Sequence, residues 1–202
     1  MGGTAAAQTA RSLVEGGAQA LVSWGMAGGL DPAFTPGTIF LPSEVISPDG
    51  ATALPTEQTW REQLGTRMAQ QEPGQHRPVT SGRLLTTPKA VGTGADKAML
   101  FQRTGAVAVD MESLAIAEVA RARQVPFIAV RVIVDSAGDT LPRAVTAAAD
   151  SEGHLRIGRL LASLARTPGE LPALIRLGGR YRAANRSLAA VAGVGLSFRG
   201  PV

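Results

Sequence analysis

The stretch from Val107 to Asp139, VAVDMESLAIAEVARARQVPFIAVRVIVDSAGD, constrains the fold more than any other part of the chain. A short apolar strand, Ala106 to Val109, runs into Asp110-Met111-Glu112, and a helix over 113–123 follows at once. That helix turns Leu114, Ala117, Val119 and Ala120 to a core and ends at Gln124, ahead of Pro126, because proline disfavours helical backbone in the residue before it. A second apolar strand, Phe127 to Val134, stops at Asp135. Short apolar runs without polar alternation are the pattern of strands buried on both faces of a sheet. Glu112 and Asp135 are therefore expected at the C-terminal ends of two neighbouring strands, the rim where open α/β sheets hold ligands.

The remaining elements extend the same alternation. Residues 4–16 read as an Ala-rich helix stopped by Gly16-Gly17, and Ala18 to Ser23 as a buried strand. Thr38 to Leu41 and Val45-Ile46 are strand material between Pro36-Gly37 and Pro48-Asp49-Gly50 turns. A helix is expected near Thr59 to Gln70, a strand over Val79 to Leu85, and a loop and helix over Lys89 to Arg103. Strands alternating with helices predict an α/β fold: a three-layer αβα sandwich around a central mixed sheet.

With 45% hydrophobic and 18% charged residues the chain is globular, and 202 residues suffice for a proper core. The absence of cysteine excludes disulfides, thiolate chemistry and Cys-based metal sites. His76 and His154 lie far apart in polar contexts without ligand spacing, so no metal site is expected. Charge is uneven: residues 1–153 carry 12 basic against 15 acidic side chains, whereas 154–202 carry eight Arg against Glu170 alone. One Tyr and no recognisable module argue against nucleic acid as the partner of that basic end.

After residue 166 the chain changes character. Thr167-Pro168-Gly169 opens a helix in which Leu171, Leu174, Ile175, Leu177, Tyr181 and Leu188 share roughly one face. Arg176, Arg180, Arg182 and Arg186 occupy much of the rest. The division is a body over 1–166 and a basic amphipathic extension over 167–202. Two readings stay open: a helix packed on the body, or a segment touching an anionic membrane surface or an apolar substrate.

Together with Ser23-Trp24-Gly25-Met26-Ala27-Gly28-Gly29-Leu30, the Asp-Met-Glu and Val-Asp-Ser-Ala-Gly-Asp segments resemble the purine nucleoside phosphorylase and methylthioadenosine/S-adenosylhomocysteine nucleosidase family, and within it the hopanoid-associated branch. The resemblance implies a nucleoside phosphorylase/hydrolase-like fold and cleavage of a purine N-glycosidic bond, with adenine released from adenosylhopane in hopanoid biosynthesis. A phosphorylase, a methylthioadenosine- or futalosine-type hydrolase, and a non-catalytic nucleoside- or lipid-binding remnant are the alternatives. It places Asp135 at the leaving base, as the catalytic acid, and Met111 and Glu112 at the ribose. A carboxyl in a partly apolar setting keeps its proton nearer neutral pH, and a carboxylate accepts from two vicinal hydroxyls.

Ala27-Gly28 would let the backbone approach the ligand. The position of Met26 holds Ser or Thr in phosphate-using relatives, and a thioether donates no hydrogen bond, which favours water as the acceptor. Gly2-Gly3-Thr4 matches a loop on the phosphate or water side. Relatives stack an aromatic on the purine near Leu84-Leu85-Thr86, where Leu85 takes its place. An N-terminal strand of the family layout is expected to be missing, together with the acidic residue it carries in relatives. Arg131 is expected to pair with a buried acid, and Asp139 to act as a turn or cap. No cofactor is implied. A homo-oligomer in the cytoplasm is expected, with contact at the inner membrane face through the C-terminal helix.

Overall fold

The computed structural model describes residues 2–71, 78–142 and 166–197; His76, His154 and Phe198 lie outside them. The chain runs α1 (Gly3–Glu15), β1 (Leu21–Gly29), β2 (Ile39–Phe40), β3 (Glu44–Ile46), β4 (Ala53–Pro55), α2 (Gln58–Gln71), β5 (Arg83–Thr86), α3 (Gly94–Thr104), β6 (Ala106–Asp110), α4 (Ser113–Arg123) and β7 (Phe127–Asp135). A 3₁₀ turn, Pro168–Glu170, then leads into α5 (Leu171–Val194). The described strands form one mixed sheet in the order β2-β7-β1-β6-β5-β3-β4.

Local chemistry sets the boundaries. Gly17, at φ +95°, carries the chain out of α1. Thr93 caps α3 by accepting from the Asp96 amide at 3.1 Å, and Gly105 ends it in the left-handed conformation. Gln124 ends α4 the same way, at φ 55°.

In β7, Phe127, Ala129 and Ile133 enter the cluster shared with α1 and α4, while Ile128, Val130 and Val132 enter the cluster shared with α2 and α5. Burial on both faces is why this strand is an unbroken apolar run. Trp60, Leu64 and Met68 of α2 meet Ala184, Leu188 and Val191 of α5 on that second face. The fold is the three-layer α/β sandwich read from the sequence, and α5 is part of one layer.

The details differ in five places. β6 and β7 are not neighbours: β1 lies between them, parallel to β7 and antiparallel to β6 at Gly28↔Val109. The expected strand Ala18 to Ser23 is shifted, because the Gly-rich segment after it is itself strand, with a register shift between Ala27 and Gly28. Val79 joins only through an isolated bridge to Phe40, so β5 starts at Arg83. The three-residue β4 escaped notice because alternation is unreadable over so short a run. On α5, Leu171, Ile175 and Tyr181 are exposed rather than packed, since the face that meets the body carries Ala184, Leu188 and Val191.

A buried polar cluster ties the centre together. Arg131 of β7, 2% exposed, donates from Nε to the Asp110 carboxylate at 2.9 Å. Its Nη1 donates to the Ser23 carbonyl at 2.9 Å, and its Nη2 to the Ser23 and Ser113 hydroxyls at 2.6 and 2.7 Å. Asp110 also accepts from the Thr86 hydroxyl at 2.7 Å and from the Ser113 amide. One guanidinium thus joins β7, β1, β6 and α4, and Asp110 adds β5. Removing one partner of a buried ion pair leaves an uncompensated charge. Arg131→Met is expected to cost about 3–5 kcal/mol, and adding Asp110→Asn should recover part of it. Urea unfolding of the three proteins measures both effects.

Candidate active site

The Asp110–Arg131 bond leaves the next two residues of the Asp-Met-Glu turn to face a cavity of about 170 Å³. Met26, Ala27 and Gly28 of β1 line one side, Met111 and Glu112 a second, and Val134 and Asp135 a third. Thr87, Ala90, Val91, Val109, Leu141 and Asp110, whose carboxylate stays on Arg131, complete the wall. The antiparallel step from β1 to β6 and the parallel one from β1 to β7 bring the ends of β6 and β7 to the same cavity across β1.

Six of the expected site residues meet here: Met26, Ala27, Gly28, Met111, Glu112 and Asp135. Leu85 does not. It is fully buried in the cluster of Leu30, Ile46, Leu100 and Val109, because it occupies an inward position of β5, and the cavity wall on that side begins two residues later at Thr87. Gly2, Gly3 and Thr4 form the start of α1, where the position of Gly3 lies against Ala115 and the Met111 carbonyl, beside the start of α4. Two helix starts therefore flank the Met111-Glu112 turn.

The close approach at Gly28 is to a side chain of the protein. A Cβ there would sit 3.3 Å from both carboxylate oxygens of Asp135, so glycine makes room for that carboxylate. Gly29 is tighter still, since its Cβ would lie 2.9 Å from the Phe34 carbonyl oxygen. Asp135 is 5% exposed and bonded through Oδ2 to Nζ of Lys97 on α3. Lys97, with no exposed surface, also donates to the Ser136 carbonyl at 2.7 Å. Burial raises the Asp135 carboxyl above its ordinary range, with the Lys97 ammonium opposing. Glu112 is likewise raised, first by burial and then by the Asp110 charge, against the pull of Arg131.

Lys97 escaped the sequence reading. Its signal was present: Leu100 and Phe101 follow at helical spacing, which puts a lone lysine on the apolar stripe of α3. The loop after β7 is held by Asp139, which accepts from the Ser136 amide at 2.7 Å and from Arg180 of α5 at 2.6 Å. Burial, the largest single influence on Asp139, pushes its carboxyl up, yet these bonds together hold it below the ordinary value. Asp139 is a turn residue, as expected, and it also anchors α5.

A second hollow, about 630 Å³, opens between β1 and α5, walled by Trp24, Tyr181, Leu188 and Leu196 and sharing Met26 and Glu112 with the first. Among the described residues no group of three or more His, Asp or Glu is placed to hold a metal, and no helix is long and apolar enough to cross a membrane.

This architecture is that of the nucleoside phosphorylases and hydrolases. The Phosphorylase superfamily model matches residues 1–166, and the chain belongs to that superfamily. Among solved structures it is similar to a 5′-methylthioadenosine/S-adenosylhomocysteine nucleosidase from Colwellia psychrerythraea 34H in complex with adenine: TM-score 0.71 and 20% identity over 97% of this chain and 74% of that one. An S-adenosylhomocysteine nucleosidase from Streptococcus pyogenes with 5-methylthiotubericidin gives a TM-score of 0.71 and 18% identity over 100% of this chain and 77% of that one. Futalosine hydrolase of Helicobacter pylori strain 26695 gives 0.65 and 18%, over 96% and 76%. At these identities the likeness is one of fold. Comparison with curated proteins finds no match.

Because burial lifts Glu112, its ionisation in the folded state is unfavourable relative to the unfolded chain. That penalty is absent below the ordinary glutamate pKa of about 4.3 and grows as pH rises. Glu112→Gln, which has no charge to bury, is expected to unfold at higher temperature than the wild type at pH 8, with the difference fading near pH 4. Thermal melts across that range check the sign.

Proposed function

We infer that the protein is a nucleosidase that hydrolyses the N-glycosidic bond of a purine nucleoside, releasing adenine. The observation that carries this reading is the convergence of two carboxyls, the buried Asp135 and the half-buried Glu112, both raised by desolvation, on one cavity that Met111 also lines. Breaking the bond between the sugar and N9 leaves electron density on the base and positive character on the ribose. Asp135 supplies a proton to the base, and Glu112 accepts hydrogen bonds from the ribose hydroxyls, which strengthens the hold as the sugar becomes cationic. Met111 gives the sugar an apolar floor, and Ala27 and Gly28 complete the pocket. Water adds to the anomeric carbon, because Met26 offers no donor for a phosphate.

Phosphorolysis is the second reading, favoured by the first turn of α1 at Gly2-Gly3-Thr4, which has no side-chain cap and directs its start toward the Met111-Glu112 turn. The residues resembling the hopanoid-associated branch point to adenosylhopane as the nucleoside, and the hollow beside Met26 and Glu112 offers room for a large apolar 5′ group. Self-association as a homo-oligomer belongs to the same reading.

Adenine release from 5′-substituted adenosines tests it. Asp135→Asn is expected to lower kcat about 10²–10⁴-fold, the range for losing a general acid. Phosphate should leave the rate unchanged, with free sugar as product. A sugar 1-phosphate, formed at a rate that rises with phosphate, replaces the hydrolase with a phosphorylase. More than half of wild-type activity in Asp135→Asn removes that residue from the reaction.

A hopanoid nucleoside is nearly insoluble, so the reading includes peripheral contact with the inner face of the membrane through α5. Leu171 and Ile175 are exposed there beside the exposed Arg176, with Arg182 and Arg186 further along. Each Arg near an anionic surface adds up to about 1 kcal/mol of attraction. Sedimentation with anionic vesicles at low salt should retain the protein and release it as salt rises, while neutral vesicles retain little. Equal binding to both, or to neither, ends the membrane assignment.

A further inference from the structure

Lys97 is the buried charge that the reading above leaves without a task. It lies behind the cavity wall and does not line the cavity. Burying an ammonium with no exposed surface is expensive, and a buried ion pair stabilises a fold little better than an apolar pair of the same volume. Yet the surroundings are shaped to keep it in place. α3 starts against the loop that follows Asp135, where a Cβ on Gly94 would meet the Gly138 and Ala137 carbonyl oxygens at 3.2 and 3.3 Å. The Leu141 amide donates to the Gly92 carbonyl at 2.8 Å, which holds the two segments in register. One turn into the helix, the ammonium meets Oδ2 of Asp135 and the Ser136 carbonyl.

Resting on the nucleosidase reading, we propose that Lys97 is a positioning residue that stabilises the carboxylate formed on Asp135 as that residue hands its proton to the departing base. The step balances on Asp135 alone. Its O–H bond breaks, an N–H bond forms on the base as the glycosidic bond opens, and Lys97 keeps its own protons throughout. A carboxylate appearing in so enclosed a place has little solvent to spread its charge. An ammonium already in contact needs no reorganisation at that moment, so its attraction is greater in the transition state than before it. Without Lys97, Asp135 holds its proton more tightly and is a poorer donor. The other charges facing Asp135 are Asp139, from its own loop, and Arg180, from α5.

The test compares two leaving groups in full-length wild type, Lys97→Met and Lys97→Gln. Adenine leaves 5′-methylthioadenosine with a proton, whereas 4-nitrophenolate leaves the corresponding 4-nitrophenyl riboside as a stable anion. Both variants should lose about ten- to a hundredfold in adenine release, the size of one charge-assisted hydrogen bond, and much less in nitrophenolate release. The basic limb of the adenine pH profile should move to higher pH, because the cation that lowers Asp135 is gone. A variant that fails to melt cooperatively is set aside for the other. Equal losses on both leaving groups, or an unmoved basic limb, overturn the role of Lys97 while the nucleosidase stands. A wild type that cleaves neither compound, nor other 5′-substituted adenosines, overturns the nucleosidase reading and this one with it.

Discussion

The Arg131–Asp110 pair is the constraint on which the site depends. A guanidinium buried in the middle of the sheet must have every donor satisfied, and here that demand draws in groups from β1, β6 and α4. Asp110 is consumed by the pair. Asp110, at the end of β6, therefore meets the cavity with its carboxylate already held by the guanidinium, and Glu112 lines the cavity two residues further on. The Ser113 hydroxyl and amide, both engaged in the same cluster, fix where α4 begins and hence the direction in which Glu112 leaves the backbone. The ion-paired acid and Glu112 sit two residues apart, and the pairing of the first decides the placement of the second.

Two different devices keep the carboxyls of the cavity where they are. Glu112 is held by its position between a strand end and a helix start, with Asp110 and Arg131 beneath it acting in opposite senses on its charge. Asp135 is held by contact: Gly28 across its face and Lys97 on one oxygen. Both are shifted in the same direction by the same leading cause, burial, but their neighbours differ in sign. Glu112 has an acid as its next influence, and Asp135 a base. Two acids in one cavity are thereby given distinct surroundings, the condition under which one fold assigns separate tasks to chemically similar groups.

Much of this was legible from residue order. The α4 boundaries at Ser113 and Arg123 follow from the acid-rich turn before and Pro126 after, both local signals. The pairing of Arg131 with a buried acid follows from the cost of leaving a charge inside an apolar strand. The order of strands was not legible, because β1 enters between β6 and β7 from more than 70 residues away, and nothing local in either strand announces it. The Gly-rich end of β1 was not read as strand, since glycine is depleted in strands. Only the Asp135 carboxylate opposite explains why Gly28 stays in the ladder. Leu85 was assigned to the cavity from its place in the chain, yet strand periodicity turns it to the core. Lys97 needed the pairing of α3 with the loop after β7, a contact between segments about 40 residues apart.

The last helix shows how a segment outside the superfamily match joins the site without lining the smaller cavity. Ala184, Leu188 and Val191 seat α5 on the face formed by Ile128, Val130 and Val132 of β7, so its position follows from the strand that ends in Asp135. Arg180 then reaches back to Asp139, whose carboxylate also holds the Ser136 amide, the residue directly after Asp135. The Ser136 carbonyl is taken by Lys97. The peptide groups on either side of Ser136 are thus tied to α5 and to α3 by opposite polar ends, one through a donor and one through an acceptor. A loop clamped from two helices in this way has little freedom to swing its carboxylate. The basic character of α5, which by composition alone suggested an external anion, finds one of its partners in the protein itself.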